Sequence, residues 1–180
     1  TFLDYVDPRV GPKDELYAFT DDLDRLAAEV AAVIRQVGAQ VVVAHGCNGE
    51  YGHPAHRLAH RAAVAAVASI TDKPPLLYTA QAAFAEHPKP HLMNADDPAD
   101  LVLDVSPVME QKIQAALCHH TQHALFVRRA SKEAGRPLSV PEVIVSMEGL
   151  HRVLPPVSGE PQDALSELLR QTGCLRPAHS

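Results

Sequence analysis

Twelve consecutive residues, His45-Gly46-Cys47-Asn48-Gly49-Glu50-Tyr51-Gly52-His53-Pro54-Ala55-His56, bring together imidazoles, a carboxylate, a phenol and a thiol. His60 follows one helical turn after His56, so those two share a helix face. Neutral imidazole is a common metal ligand and acid–base group. A hydrolytic zinc site needs about three protein ligands and an open position for water. This stretch supplies one or two such ligands, and the rest must come from elsewhere. A bare HxxH spacing is a weak motif, and a lone histidine is more often surface or core filler. The glycines sharpen the pattern, because they allow close approach to a ligand or a positive φ.

The flanking residues say what must hold this stretch in place. Val41-Val42-Val43-Ala44 is a short apolar run without alternation, as in a parallel strand buried on both faces. His53-Pro54 reads as an N-cap followed by proline at the first helical position, opening an alanine-rich helix to about residue 69. The N-cap sits in the positive end of the helix field, which favours neutral imidazole. A strand end leading into a helix N-terminus is where open α/β sheets bind ligands. Upstream, Thr20 and the acids after it predict a helix over 20–37, with Leu23, Leu26, Ala27, Val30, Ile34 and Val37 as its buried stripe and Gly38 closing it. Downstream, strands are expected at 75–79, 100–105 and 142–147. Helices are expected after Ser106-Pro107 and over 161–171, and an exposed loop over 84–99. The rhythm is that of a βαβ fold, with no repeat or domain boundary, so residues 1–180 are expected to form one α/β domain.

Composition narrows the function. Of 180 residues, 46% are hydrophobic and 21% charged, the balance of a packed globule. The longest apolar run, 62–68, is far below the ~20 residues of a membrane span. A net charge of -6 and 4% aromatics argue against nucleic acid. Cys47, Cys118 and Cys174 show no CxxC spacing, which suits a reduced, cytoplasmic setting. No interface signature stands out, and assembly into a homo-oligomer stays open.

Gly49-Glu50-Tyr51-Gly52-His53-Pro54-Ala55-His56, with Ala59-His60-Arg61-Ala62-Ala63 after it, resembles the second motif of the PIG-L/LmbE family of zinc-dependent N-acetylglucosamine deacetylases. Asp104-Val105-Ser106, Lys112, Ala115-Ala116-Leu117 and His120-Thr121-Gln122 resemble its later pattern, as does the string from Glu148 to Pro156. The resemblance implies a three-layer, Rossmann-like sandwich with a mostly parallel sheet. It implies zinc bound by His56, with His53 facing the substrate amide to stabilise the oxyanion or protonate the leaving amine. Tyr51 would help polarise the acetyl carbonyl, and Glu50, Gly52 and His45 would line the substrate site. The implied reaction is hydrolysis of an N-acetyl group on a small amino-sugar substrate, with zinc activating the water.

Two departures qualify that expectation. Many members carry an aspartate where this chain has Ala55, so another carboxylate, Glu50 or Asp104, would have to orient the histidine. The family's first motif, an AHPDDE-type string carrying the other zinc ligands and the general base, is absent. Asp96-Asp97 lack the histidine and strand that would make them its equivalent. The chain is therefore expected to be an N-terminally truncated piece with an open sheet edge. The alternative expectation is an inactive family member that binds ligand or partner without hydrolysis.

Overall fold

In the computed structural model, which describes residues 1–6, 8 and 10–176, the first long helix is α1 (Leu23–Val37). Leu26, Ala27, Ala31 and Ile34 recur at helical spacing and are its buried residues. Its cap is Asp22, whose Oδ1 accepts from Arg25 N at 3.0 Å. Thr20, expected in that role, instead accepts from Asp22 N at 3.1 Å, so the helix begins later than the sequence suggested. Gly38 closes it in the left-handed region, φ 62.

The chain continues through β1 (Val41–Ala44), a single turn α2 (Gly49–Gly52) and α3 (Pro54–Ala68). Then come β2 (Leu76–Ala80), β3 (Ala82–Ala83), β4 (Asn94–Pro98) and β5 (Leu101–Asp104). Helices α4 (Met109–Cys118) and α5 (His123–Ala134) and the turn α6 (Val140–Val143) lead to β6 (Met147–Leu154), α7 (Ala164–Gln171) and β7 (Leu175–Arg176).

The main sheet has the order β1-β2-β6-β5-β7. Only β1 and β2 pair in parallel; β2 with β6, β5 with β6, and β5 with β7 are antiparallel. This corrects the expectation of a mostly parallel sheet. A continuous apolar run reports burial on both faces and says nothing of direction. The connection after β5 decides the matter. Val105 N donates to Ser146 O at 2.7 Å, so the chain leaves β5 and enters β6 at the same end of the sheet. Helices α4 to α6 fold back there instead of crossing over, and β6 must run antiparallel.

The strand expected over 142–147 is corrected for a related reason. Ser139 and Glu142 form a capping box around Pro141, which winds Val140–Val143 into a turn, and the strand starts only at Met147. The loop expected over 84–99 contains β4, paired with β3, and it buries Asn94 and Asp97.

Helices α1 and α3 cover one face of the sheet. Ala31, Ile34, Ala63, Ala66, Val67 and Leu77 share one apolar cluster, in which small side chains let the two helices approach closely. On the other face, Leu165 and Leu169 of α7 pack on Tyr78, Leu101 and Leu103. The result is a helix–sheet–helix layering. Arg152 of β6 lies beneath α7 with its side chain 5% exposed, and it pairs with Asp163. Asp163 also accepts from the Tyr78 hydroxyl at 2.6 Å and from Leu165 N and Ser166 N at 2.9 Å each, so one carboxylate both neutralises a buried cation and caps α7. Strand β1 is an edge strand, and Val43 is exposed. Among the described residues, no helix is long and apolar enough to cross a membrane.

Candidate functional site

The C-terminal ends of β1, β2 and β5 and the start of β6 open on one side of the sheet. The His45–His56 segment crosses this side. Gly49 N donates to Gly46 O at 3.0 Å and His53 N to Gly49 O at 3.1 Å, which curls the segment tightly. Gly52 takes φ 88, a conformation natural to glycine. Glu50 takes φ 56 and ψ -85, rare for a residue with a side chain and a local strain that surrounding contacts must hold.

That strain aims the Glu50 carboxylate inward. Its side chain is only 9% exposed, and Oε2 accepts from His56 Nδ1 at 2.5 Å and from His45 Nδ1 at 3.1 Å. The other oxygen accepts from Gly46 N and Asn94 Nδ2, each at 3.3 Å. The three rings form a short stack. His45 and His56 have centroids 3.9 Å apart with 14° between planes, and His53 and His56 are 4.6 Å apart with 22°. Tyr51 presents its ring edge-on to both His53 and His56, at 5.7 and 5.6 Å.

The hydrogen bonds fix where protons reside. A carboxylate only accepts, so His56 Nδ1 and His45 Nδ1 carry hydrogen, and in the neutral rings Nε2 keeps its lone pair. His53 is the reverse. Its Nδ1 accepts from Ala55 N at 3.2 Å as the cap of α3, so the neutral ring carries its proton on Nε2. Burial alone would raise the Glu50 pKa, but hydrogen bonds and charge from His45, His56 and Asn94 outweigh it and bring it down to about 2. Burial and the neighbouring imidazoles push the His56 pKa down, against the pull of Glu50. The site therefore holds an ionised carboxylate behind a neutral His56.

Two residues outside the sequence motif hold this arrangement. Asn94, 0% exposed, accepts from the strained Glu50 N at 2.9 Å and donates to Ala80 O at 3.1 Å. It packs so closely on Gly46 that a Cβ there would overlap its amide. Asp97, also buried, accepts from Cys47 N at 3.0 Å and Thr79 Oγ1 at 2.8 Å, pinning the start of the loop to β2. Asp96 reaches Asn48 Nδ2 at 2.6 Å. Sequence reasoning missed Asn94 and placed Asp96-Asp97 outside the site; the only signal was the acidic pair itself.

The sequence-predicted site residues His45, Glu50, Tyr51, Gly52, His53 and His56 lie in or beside this cluster. Of the two carboxylates considered as substitutes for the missing aspartate, Glu50 reaches imidazoles, and it grips His56 and His45, not His53. Asp104 is engaged elsewhere, with Arg176 at 2.6 Å and Ser106 N at 3.0 Å. His60 braces the loop through its Nδ1 on His45 O at 3.0 Å. The Cys47 thiol is pushed up to about 12 by burial and by Asp97, which makes it a poor nucleophile. His119 and His120 are exposed.

His45, Glu50 and His56 have potential ligand atoms within 4.8 Å of one another. Two imidazoles backed by a carboxylate suit zinc or a similar divalent ion. A ring whose Nδ1–H is held by a carboxylate and whose Nε2 is free has the arrangement usual for a metal-binding histidine.

No family model matches the chain. It is similar to curated proteins named 1D-myo-inositol 2-acetamido-2-deoxy-alpha-D-glucopyranoside deacetylase. That of Geodermatophilus obscurus is 50% identical over 60 residues, covering 33% of this chain and 20% of that protein. Those of Saccharopolyspora erythraea and Mycolicibacterium vanbaalenii are 30% and 31% identical over 132 residues, covering 63% and 62% of this chain and 44% and 46% of theirs. The chain thus spans less than half the length of these relatives. A solved structure, 4-carboxy-2-hydroxymuconate hydratase of Pseudomonas putida, aligns at TM-score 0.46 and 22% identity over 81% of this chain and 65% of that one, too distant to bear on function.

Proposed function

We propose that this chain carries part of the active centre of a zinc-dependent de-N-acetylase acting on an amino-sugar conjugate. The observation that carries the reading is the Glu50–His56 contact, which orients His56 with a free Nε2 beside His53 and Tyr51. The named activity of the similar proteins supports it. His56 would hold the ion, with His45 alongside and Glu50 behind both. When bound, zinc supplies Lewis acidity toward an amide carbonyl and toward water.

The chain's own groups do the remainder. His53 presents Nε2–H, a donor suited to the oxygen of a tetrahedral intermediate, and once charged by a second proton at Nδ1 the ring would pass its Nε2 proton to the departing amine and return to neutral. Its cap hydrogen bond keeps it in that tautomer without a carboxylate, which is the task the absent aspartate would otherwise perform. Tyr51, 56% exposed beside the His53 and His56 rings, would donate to an incoming acetyl oxygen. Glu50 stays ionised and orients His56, while burial and the neighbouring imidazoles favour the neutral ring, the form that ligates.

Zinc content and acetate release from N-acetylglucosamine conjugates test the proposal. His56→Ala should lose the metal. His53→Ala should keep it while turnover falls ~10²–10⁴-fold. Unchanged zinc stoichiometry in the His56 variant would overturn the assignment.

A further inference from the structure

Beside the imidazole cluster, on the same edge of the sheet, lies a second group of polar side chains. Gln81 joins the two. Its carbonyl accepts from Asn94 N at 2.7 Å, and its Nε2 donates to Glu148 Oε2 at 3.3 Å. Lys112 of α4 pairs with the other Glu148 oxygen and donates to Val145 O at 2.6 Å. Lys89 stands within electrostatic reach of both Lys112 and Glu148. It is half-buried, and among the described residues it makes no ion pair.

His87 completes the group. It is 7% exposed, and its ring packs 4.9 Å from that of Phe84. Its Nδ1 accepts from Lys89 N at 3.1 Å, so the neutral ring carries its proton on Nε2. That Nε2 is buried without a hydrogen-bond partner. Burial and the Lys112 charge hold the Lys89 ammonium below the usual lysine range, as expected for a cation removed from water with too little negative charge nearby.

Lys112 thus already takes up Glu148, the half-buried Lys89 has no ion-pair partner of its own among the described residues, and the buried His87 N–H has no acceptor. Such a surplus of charge and donors repels cations and is satisfied by an acceptor-only group. We propose that Lys89, His87 and Lys112 form a subsite for an oxyanion, a carboxylate or phosphate, carried by the part of the substrate remote from the acetyl group. As a statement about the substrate this rests on the deacetylase reading. As an anion site it stands on these residues alone.

The test is titration of the isotopically labelled chain with inorganic phosphate and, separately, with malonate, at constant ionic strength. The His87 ring and Lys89 Nζ signals are followed by NMR. The expected result is a saturable shift at both residues with at least one anion, weakened about tenfold or more in Lys89→Gln. It should be absent with uncharged N-acetylglucosamine and unchanged in His56→Ala. The tighter of the two anions identifies the phosphate or carboxylate source. No saturable shift with either anion, or equal affinity in Lys89→Gln, would overturn the proposal. Anion binding without zinc retention would sink the deacetylase reading and leave the subsite standing; zinc and turnover without anion binding would do the reverse.

Discussion

Glu50→Gln removes the one negative charge that two imidazoles share while leaving the shape of the side chain almost intact. The carboxylate is 9% exposed and its pKa falls from an ordinary 4.5 to about 2. A carboxylate depressed on folding adds stability that is fully present above its unfolded value and is lost as pH falls through its folded one. The window here therefore runs downward from about pH 4.5. A depression of this size corresponds to roughly 3 kcal/mol, and solvent screening at the half-exposed His45 side reduces the expected figure to ~2 kcal/mol. Urea denaturation of both proteins over a pH series measures it. At neutral pH wild type should exceed the variant by ~2 kcal/mol, and the gap should narrow steadily as pH falls below about 4.5. A gap that is absent at neutral pH, or that persists unchanged through the acid range, would refute the electrostatic account of the site.

Four further outcomes follow from the packing and electrostatics. Asn94→Ala should cost about 3 kcal/mol in denaturation experiments, because it strands the Glu50 amide and a β2 carbonyl in a buried place. Gly46→Ala should approach the same loss by forcing the Asn94 amide away, and under the proposed function both variants should weaken zinc retention. Arg152→Ala should cost about 3–5 kcal/mol by leaving Asp163 charged and unpaired, whereas Arg152→Met should lose clearly less if Asp163 is replaced by Asn at the same time. At mildly alkaline pH, Ellman's reagent should modify exposed Cys118 quickly and Cys47 slowly in the native chain, with the difference vanishing in denaturant.

The sequence was most legible where one local signal settled one local structure. The periodicity of α1, the glycine at its end, and His53-Pro54 opening α3 each depend on residues a turn apart. The motif loop was legible for the same reason, since its chemistry is packed into a dozen residues. Strand direction was not. The antiparallel entry of β6 depends on where α4 to α6 deliver the chain, which no run of apolar residues encodes. Asn94 and Asp97 were hidden for a different reason. They sit in a polar, proline-containing stretch whose composition is that of a surface loop, and only the approach of β4 to the loop, some 50 residues away in sequence, turns them inward. The task expected of a carboxylate at position 55, fixing His53, falls to the Ala55 amide, while Glu50 turns to His56 and His45 through a backbone conformation that residue type alone does not suggest.

The cap of α3 has a consequence for watching the site at work. One hydrogen bond, from the Ala55 amide to His53 Nδ1, both secures the first turn of the helix and keeps the ring proton on Nε2. A proton arriving at Nδ1 destroys the acceptor, and the amide is released to solvent. Amide exchange at Ala55 is thus a built-in reporter of the state of His53, readable without substrate, metal or label. Any event that charges the ring is written for a moment into the fraying of a helix end.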